Sequence, residues 1–137
     1  MMAHPEEKPV KQRLLRFTKA AQRDFAALPE EVQVKFQFAL HQAELGGKHL
    51  DAKVLHGFGG ASVLEVVVSH KRATYRAVYT LQFPGFVYLI HAFQKKSKSG
   101  NKTPKYELDA IDHRIAAAGK DYEQRLSNER PAAEGQG

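Results

Sequence analysis

The 137 residues contain no cysteine and no tryptophan. Without cysteine, disulfide scaffolds, thiolate zinc sites, iron–sulfur clusters and cysteine nucleophiles are excluded. A cytoplasmic setting is expected. No apolar run approaches the roughly 18–20 residues of a membrane span, and the opening MMAHPEEKPVKQR lacks the apolar centre of a secretory signal. Glycine (10) and proline (6) are too few for a collagen-like or low-complexity chain. The seven histidines show no HxxxH or HxH spacing, so no metal or other cofactor is expected. The P-loop, GxSxG and dinucleotide GxGxxG patterns are all missing. HGFGGAS at 56–62 fails the dinucleotide spacing and precedes a strand, so it reads as a turn.

What the chain has in excess is positive charge. Lys and Arg number 21 against 15 Asp and Glu, a formal net charge of +6. Residues 1–105 carry 17 basic and 8 acidic side chains, and residues 106–137 carry 4 and 7. A basic body with an acidic tail suggests a polyanionic partner, most simply nucleic acid. Solubility alone is the other reading of such a balance.

Residues 1–12 hold Pro5 and Pro9 and no apolar period, and read as a flexible arm. Residues 13–17 suggest a short first strand. Thr18 is placed to cap a helix bearing Ala20, Ala21, Phe25 and Leu28. Pro29 opens a second helix, with Glu30 and Glu31 at the positive end of its dipole. Val32, Phe36, Ala39, Leu40 and Ala43 line one face, and Gly46-Gly47 ends it. The period then shortens to two. Residues 62–69, 73–81 and 86–93 read as strands joined by the basic turn 70–72 and by Pro84-Gly85, an antiparallel meander. Thr103-Pro104 restarts a helix as cap and first residue, with Leu108, Ile111 and Ile115 on its apolar face. Gly119 reads as its end or a fraying point, and 131–137 as disordered. Helices grouped away from an antiparallel sheet predict a two-layer α+β domain.

Chemistry concentrates late in the chain. Residues 91–105, HAFQKKSKSGNKTPK, hold Lys95, Lys96, Lys98, Lys102 and Lys105 and no acid. On a loop between a strand and a helix, they form a phosphate-sized footprint. Arg72 adds a cation in the basic turn. Arg76 lies mid-strand on a face with Thr74, Val78 and Thr80, while Tyr75, Ala77, Tyr79 and Leu81 face the helices. Such an arginine either pairs internally, with Glu65 on the next strand, or lines a cleft and meets an anion. Alternation groups His91 with Val87, Leu89 and Phe93. There it is either a proton donor or acceptor near neutral pH, or a satisfied structural residue. These pieces suit metal-free RNA cleavage, in which a 2′-hydroxyl attacks the adjacent phosphate and cations meet the developing charge. Phe93, Tyr75 and Tyr88 are candidate stacking surfaces, the two tyrosines being better placed as core.

Residues 52–60 (AKVLHGFGG), 74–79 (TYRAVY) and 91–104 (HAFQKKSKSGNKTP) occur in that order. Together they resemble the signature of the phage-derived, HigB-like branch of the HigB/RelE/ParE toxin superfamily. The resemblance covers roughly residues 13–117, leaving 1–12 as an arm and 118–137 as a helical extension with a disordered tail. It implies the toxin of a type II toxin–antitoxin pair. The implied fold is a RelE-like helical hairpin on a small, mainly antiparallel sheet with a C-terminal helix, its cleft on the sheet's other face. HigB- and RelE-like members cut mRNA in the ribosomal A site without metal, and their antitoxin is commonly a helix-turn-helix protein. ParE-like members share the fold and poison DNA gyrase instead. By this resemblance Arg76 takes the phosphate, and Lys95 and Lys96 match the basic positions after the last strand. Lys53 becomes a further RNA contact beside Arg72, Lys98 and Lys102. The expected catalytic set is Arg76, His91 and Lys95. Two departures stand. Neither Tyr106 nor Tyr122 aligns with the family's C-terminal tyrosine, and a C-terminal Asp-Tyr-His grouping is missing.

Overall fold

A computed structural model describes residues 12–49, 51–95 and 103–134, with side chains as far as residue 128 in the last stretch. The elements in chain order are β1 (Leu14–Phe17), α1 (Lys19–Ala26), α2 (Glu30–Glu44), β2 (Ala52–Val54), β3 (Val63–His70), β4 (Ala73–Thr80), β5 (Phe86–Lys95) and α3 (Lys105–Glu134). The strands form one sheet in the order β1-β5-β4-β3-β2. β2 to β5 run antiparallel, and β1 lies parallel to β5, Leu14 opposite Phe86. The α+β class holds. β2 was not legible as a strand, because three residues (AKV) are too short to show alternation.

Local chemistry sets the helix ends. Thr18 caps α1, its Oγ1 accepting the Ala21 N–H at 3.2 Å. After α2 the Gly46 and Gly47 N–H groups donate to Ala43 and Gln42 carbonyls at 3.0 and 2.9 Å. Gly46 manages this at φ 90, a conformation that favours glycine. The hairpin then packs Phe25, Val32, Phe36 and Leu40 on Leu64, Val66, Ala77, Tyr79, Val87 and Leu89 of the sheet.

α3 takes the opposite face, so the domain has three layers where two were expected. Ile111 and Ala118, with Leu108, Ile115 and Tyr122, cover Val63, Val78, Tyr88 and Ile90. The residues FVYLI at the start of β5 are apolar at every position, as a strand covered on both sides must be. Gly119 does not end α3. It faces the Phe83 ring, and a Cβ placed there would meet the ring carbons at 3.6 Å, van der Waals contact. Ala118 and Tyr122 pack on either side of it, outweighing the ~1 kcal/mol by which glycine disfavours helix. The helical backbone enters the segment expected to be disordered, as far as Glu134, and 135–137 lie outside the described residues. Tyr88 Oη donates to Asp121 Oδ2 at 2.5 Å and Arg125 Nε to the same oxygen at 2.8 Å, fixing this half of the helix. Burial, then the hydrogen bond and charge of Asp121, push the Tyr88 phenol up to about 12. Burial alone does the same to Tyr79. For Asp121 burial acts upward, but the bonds from Tyr88 and Arg125 prevail and hold its carboxyl below the usual range.

The alternation expected for β5 fails at one place. Val78 lies opposite His91 while Tyr79 lies opposite Leu89, so Ile90 is an extra residue in the ladder. The bulge turns His91 and Phe93 away from the face of Val87 and Leu89 and onto that of Val78 and Arg76. A single inserted residue leaves no mark in an unbroken apolar run.

Candidate functional site

Beyond the stretch covered by α3, the same sheet face carries polar side chains. Arg76 sits opposite Val67 and Glu65 opposite Val78, so the two are diagonal neighbours on one face. Arg76 NH1 donates to Glu65 Oε1 at 2.8 Å, both residues being buried at 5% and 7% exposure. The other carboxylate oxygen accepts the Thr103 hydroxyl, also at 2.8 Å. Thr103 was expected to cap α3. Its hydroxyl is committed to Glu65 instead, and Pro104 supplies the carbonyl that starts the helix, accepting from Leu108 at 3.1 Å. Arg76 Nε has no hydrogen-bond partner among the described residues. The internal pair raised for Arg76 is therefore present, and the same residue lines a cleft.

The cleft has a volume of about 940 Å³ and is lined by Arg76, Glu65, Val67, Ser69, Lys53, Val54, Asp51, His49, Lys35, Phe38 and Val34 among others. Its shape follows from the shortness of β2, which pairs only with residues 64–66 of β3. Past Val66, the edge of β3 away from β4 has no strand beside it among the described residues, and the cleft rounds that edge to reach α2. Lys35 and Lys53 set cations along it, against the single exposed carboxylate of Asp51.

The expected site residues divide into groups. Arg76 and Lys53 share the cleft. Lys95 pairs with Thr74, two residues along β4 from Arg76, and so shares its sheet face. Arg72 is exposed at the β3–β4 turn, away from the cleft lining. Lys96, Lys98 and Lys102 lie outside the described residues. Tyr75 and Tyr88 belong to the two cores, and half-buried Phe93 stands directly across from Arg76.

His91 is not in the cleft lining. It is buried, tilted against Phe93 with ring centroids 5.1 Å apart. Its Nε2 lies 2.6 Å from Glu107 Oε1 of α3, and its Nδ1 is 3.6 Å from Asp24 Oδ2 of α1, too far for a hydrogen bond. Arg114 of α3 clamps the same Asp24 oxygen and reaches the Ile90 carbonyl at 3.3 Å. This network ties the two helical layers together where β1 has ended.

The turn carrying Arg72 is strained. Lys71 and Arg72 have φ of 49 and 68, the left-handed region that two-residue hairpins demand and that Asn-Gly fills at least cost. Replacing Lys71-Arg72 by Asn-Gly should stabilise the domain by about 1 kcal/mol, readable as a higher urea midpoint. An Arg72 contact to nucleic acid would appear in the same variant as weaker RNA binding.

Phe38, His49, Asp51 and Thr103 escaped the sequence reading. A signal existed for the first: Val34 and Phe38 are large apolar residues off the stripe that α2 buries, and both are exposed. Among the described residues no group of three or more His, Cys, Asp or Glu side chains is arranged to hold a metal ion, and no helix is long and apolar enough to cross a membrane.

The model of one protein family, described as phage derived protein Gp49-like (DUF891), matches residues 23–116. The matched span contains α2, the whole meander with Lys53, Glu65, Arg76 and Lys95, and the first part of α3. No curated protein and no solved structure matches the chain.

Proposed function

Because the chain belongs to the phage-derived Gp49-like family, a family of RelE/HigB-like toxins, we propose that it is a ribosome-dependent mRNA endonuclease that blocks translation. Membership implies a cognate antitoxin, which on this reading is a helix-turn-helix protein. The observation that carries the proposal is the buried Arg76–Glu65 pair facing a cleft that Lys53 also lines.

On this reading the scissile phosphate meets the Arg76 guanidinium where the residue lines the cleft. The 2′-hydroxyl attacks phosphorus as Glu65 takes its proton, leaving a 2′,3′-cyclic phosphate. Arg76 neutralises the charge that builds on the phosphorane oxygens. The Lys95 ammonium returns a proton to the departing 5′-oxygen. Lys53 holds a neighbouring phosphate, and Lys96, Lys98 and Lys102 are further RNA-binding cations on this proposal. His91 acts at a distance, by keeping α3 and hence Thr103 in place against Glu65. The test is primer extension on a defined mRNA with purified protein. Cuts in frame with codons, present only with translating ribosomes, are the expected result.

A further inference from the structure

The catalytic reading uses one end of the cleft and leaves the other unexplained. At that far end Phe38, more than half exposed at 57%, meets His49 edge to face, with ring centroids 5.6 Å apart and an angle of 89°. Phe38 lies off the buried stripe of α2, and more than half of its surface stays open to a ligand. We infer that Phe38, His49 and Asp51 form a subsite for one nucleobase of single-stranded RNA, the base next to the phosphate held at Arg76. The inference rests on the nuclease reading above.

Three observations point to a base. First, the corner between the two rings offers π surface, on which any base stacks. Second, the polar groups beside it are those that read base edges. The Asp51 N–H donates to His49 Nδ1 at 3.0 Å, which leaves the neutral ring's proton on Nε2 as a donor. The Asp51 carboxylate, 63% exposed, is an acceptor that suits an exocyclic amino group. Adenine, cytosine and guanine carry that group and uracil does not, so the subsite favours the first three. Third, Lys35 and Lys53 line the same cleft as Phe38 and Arg76, cations that suit a sugar-phosphate backbone joining a stacked base to a bound phosphate. Here Val34 and Phe38 share the lining with two lysines, a histidine and an aspartate, and with Val54, Val67 and Val68.

The test uses ribosomes programmed with an mRNA whose A-site codon is randomised, comparing the full-length parent with Phe38→Ala, Phe38→Trp and Asp51→Asn. Phe38→Ala is expected to lower cutting about tenfold, the effect of losing one stacked base. Phe38→Trp should restore it. Asp51→Asn should raise the share of cuts at uracil, because an amide no longer discriminates against a carbonyl edge. Phe38 and Asp51 are both exposed, so the variants should unfold like the parent. If the parent cuts and all three variants keep its rate and base profile, the subsite is wrong and the nuclease reading stands. If Phe38→Ala cuts normally but binds the antitoxin more weakly, the patch is a protein-docking surface and the inference is overturned. If the parent cuts nothing, the nuclease reading and the subsite fall together.

Discussion

Arg76→Ala is expected to abolish mRNA cutting and also to destabilise the domain by about 3–5 kcal/mol, because it strands Glu65 as an unpaired buried carboxylate. Had Arg76 only lined a cleft, the same substitution would cost little stability. The structure changes the expectation, since Arg76 and Glu65 are both more than nine-tenths buried and joined at 2.8 Å. A domain of this size has a total stability on the order of 7–20 kcal/mol, so a loss of activity in the single variant would be confounded with partial unfolding. The double variant Glu65→Gln with Arg76→Met separates the two. It removes both charges and lets the Thr103 hydroxyl keep an acceptor. Urea denaturation should place the double variant within about 1–2 kcal/mol of the parent, with cutting still absent. A folded double variant that cut as fast as the parent would remove Arg76 and Glu65 from the chemistry altogether.

Substitution of His91 is expected to act on stability first and on activity only through it. The ring sits between Glu107 and Asp24, and its removal strands the Glu107 carboxylate while Asp24 keeps Arg114. His91→Ala should cost about 3 kcal/mol, and amide exchange in the first half of α3 should accelerate, since Glu107 and Arg114 both anchor there. Measured on the folded fraction, cutting should fall less than tenfold, with the pH–rate profile keeping its shape. If His91 were the proton donor or acceptor, His91→Gln would remain as stable as the parent, lose cutting by roughly 10²–10⁴-fold and lose one limb of the profile. That pattern would return His91 to the reaction and displace Lys95 or Glu65.

The fold was legible wherever one residue pattern had one meaning. The capping threonine of α1, the buried stripe of α2 and the three meander strands all follow from local spacing. What escaped was set by contacts between distant segments. The bulge at Ile90 is one residue in an unbroken apolar run, and it alone moves His91 to the other face of the sheet. The path of α3 through Gly119 depends on Phe83, from the loop after β4. Thr103 carries the sequence signal of a helix cap, yet its hydroxyl is taken by a carboxylate 38 residues away. At the site, Arg76 was conspicuous as a charge in the middle of a strand, and Glu65 was visible as its only acidic neighbour on β3. The far end of the cleft was invisible because it exists only where β2 stops short and α2 faces the open edge of β3.

On the proposed function, this toxin-family chain cuts mRNA on the ribosome with Arg76 at the phosphate. The most direct measurement is primer extension on one defined mRNA, with and without translating ribosomes, for the parent and the Glu65→Gln/Arg76→Met double variant. The account predicts cuts in frame with codons for the parent, only when ribosomes translate, and none for the folded double variant. Intact mRNA in every reaction, from a parent protein that still arrests growth and inhibits gyrase supercoiling, would contradict it.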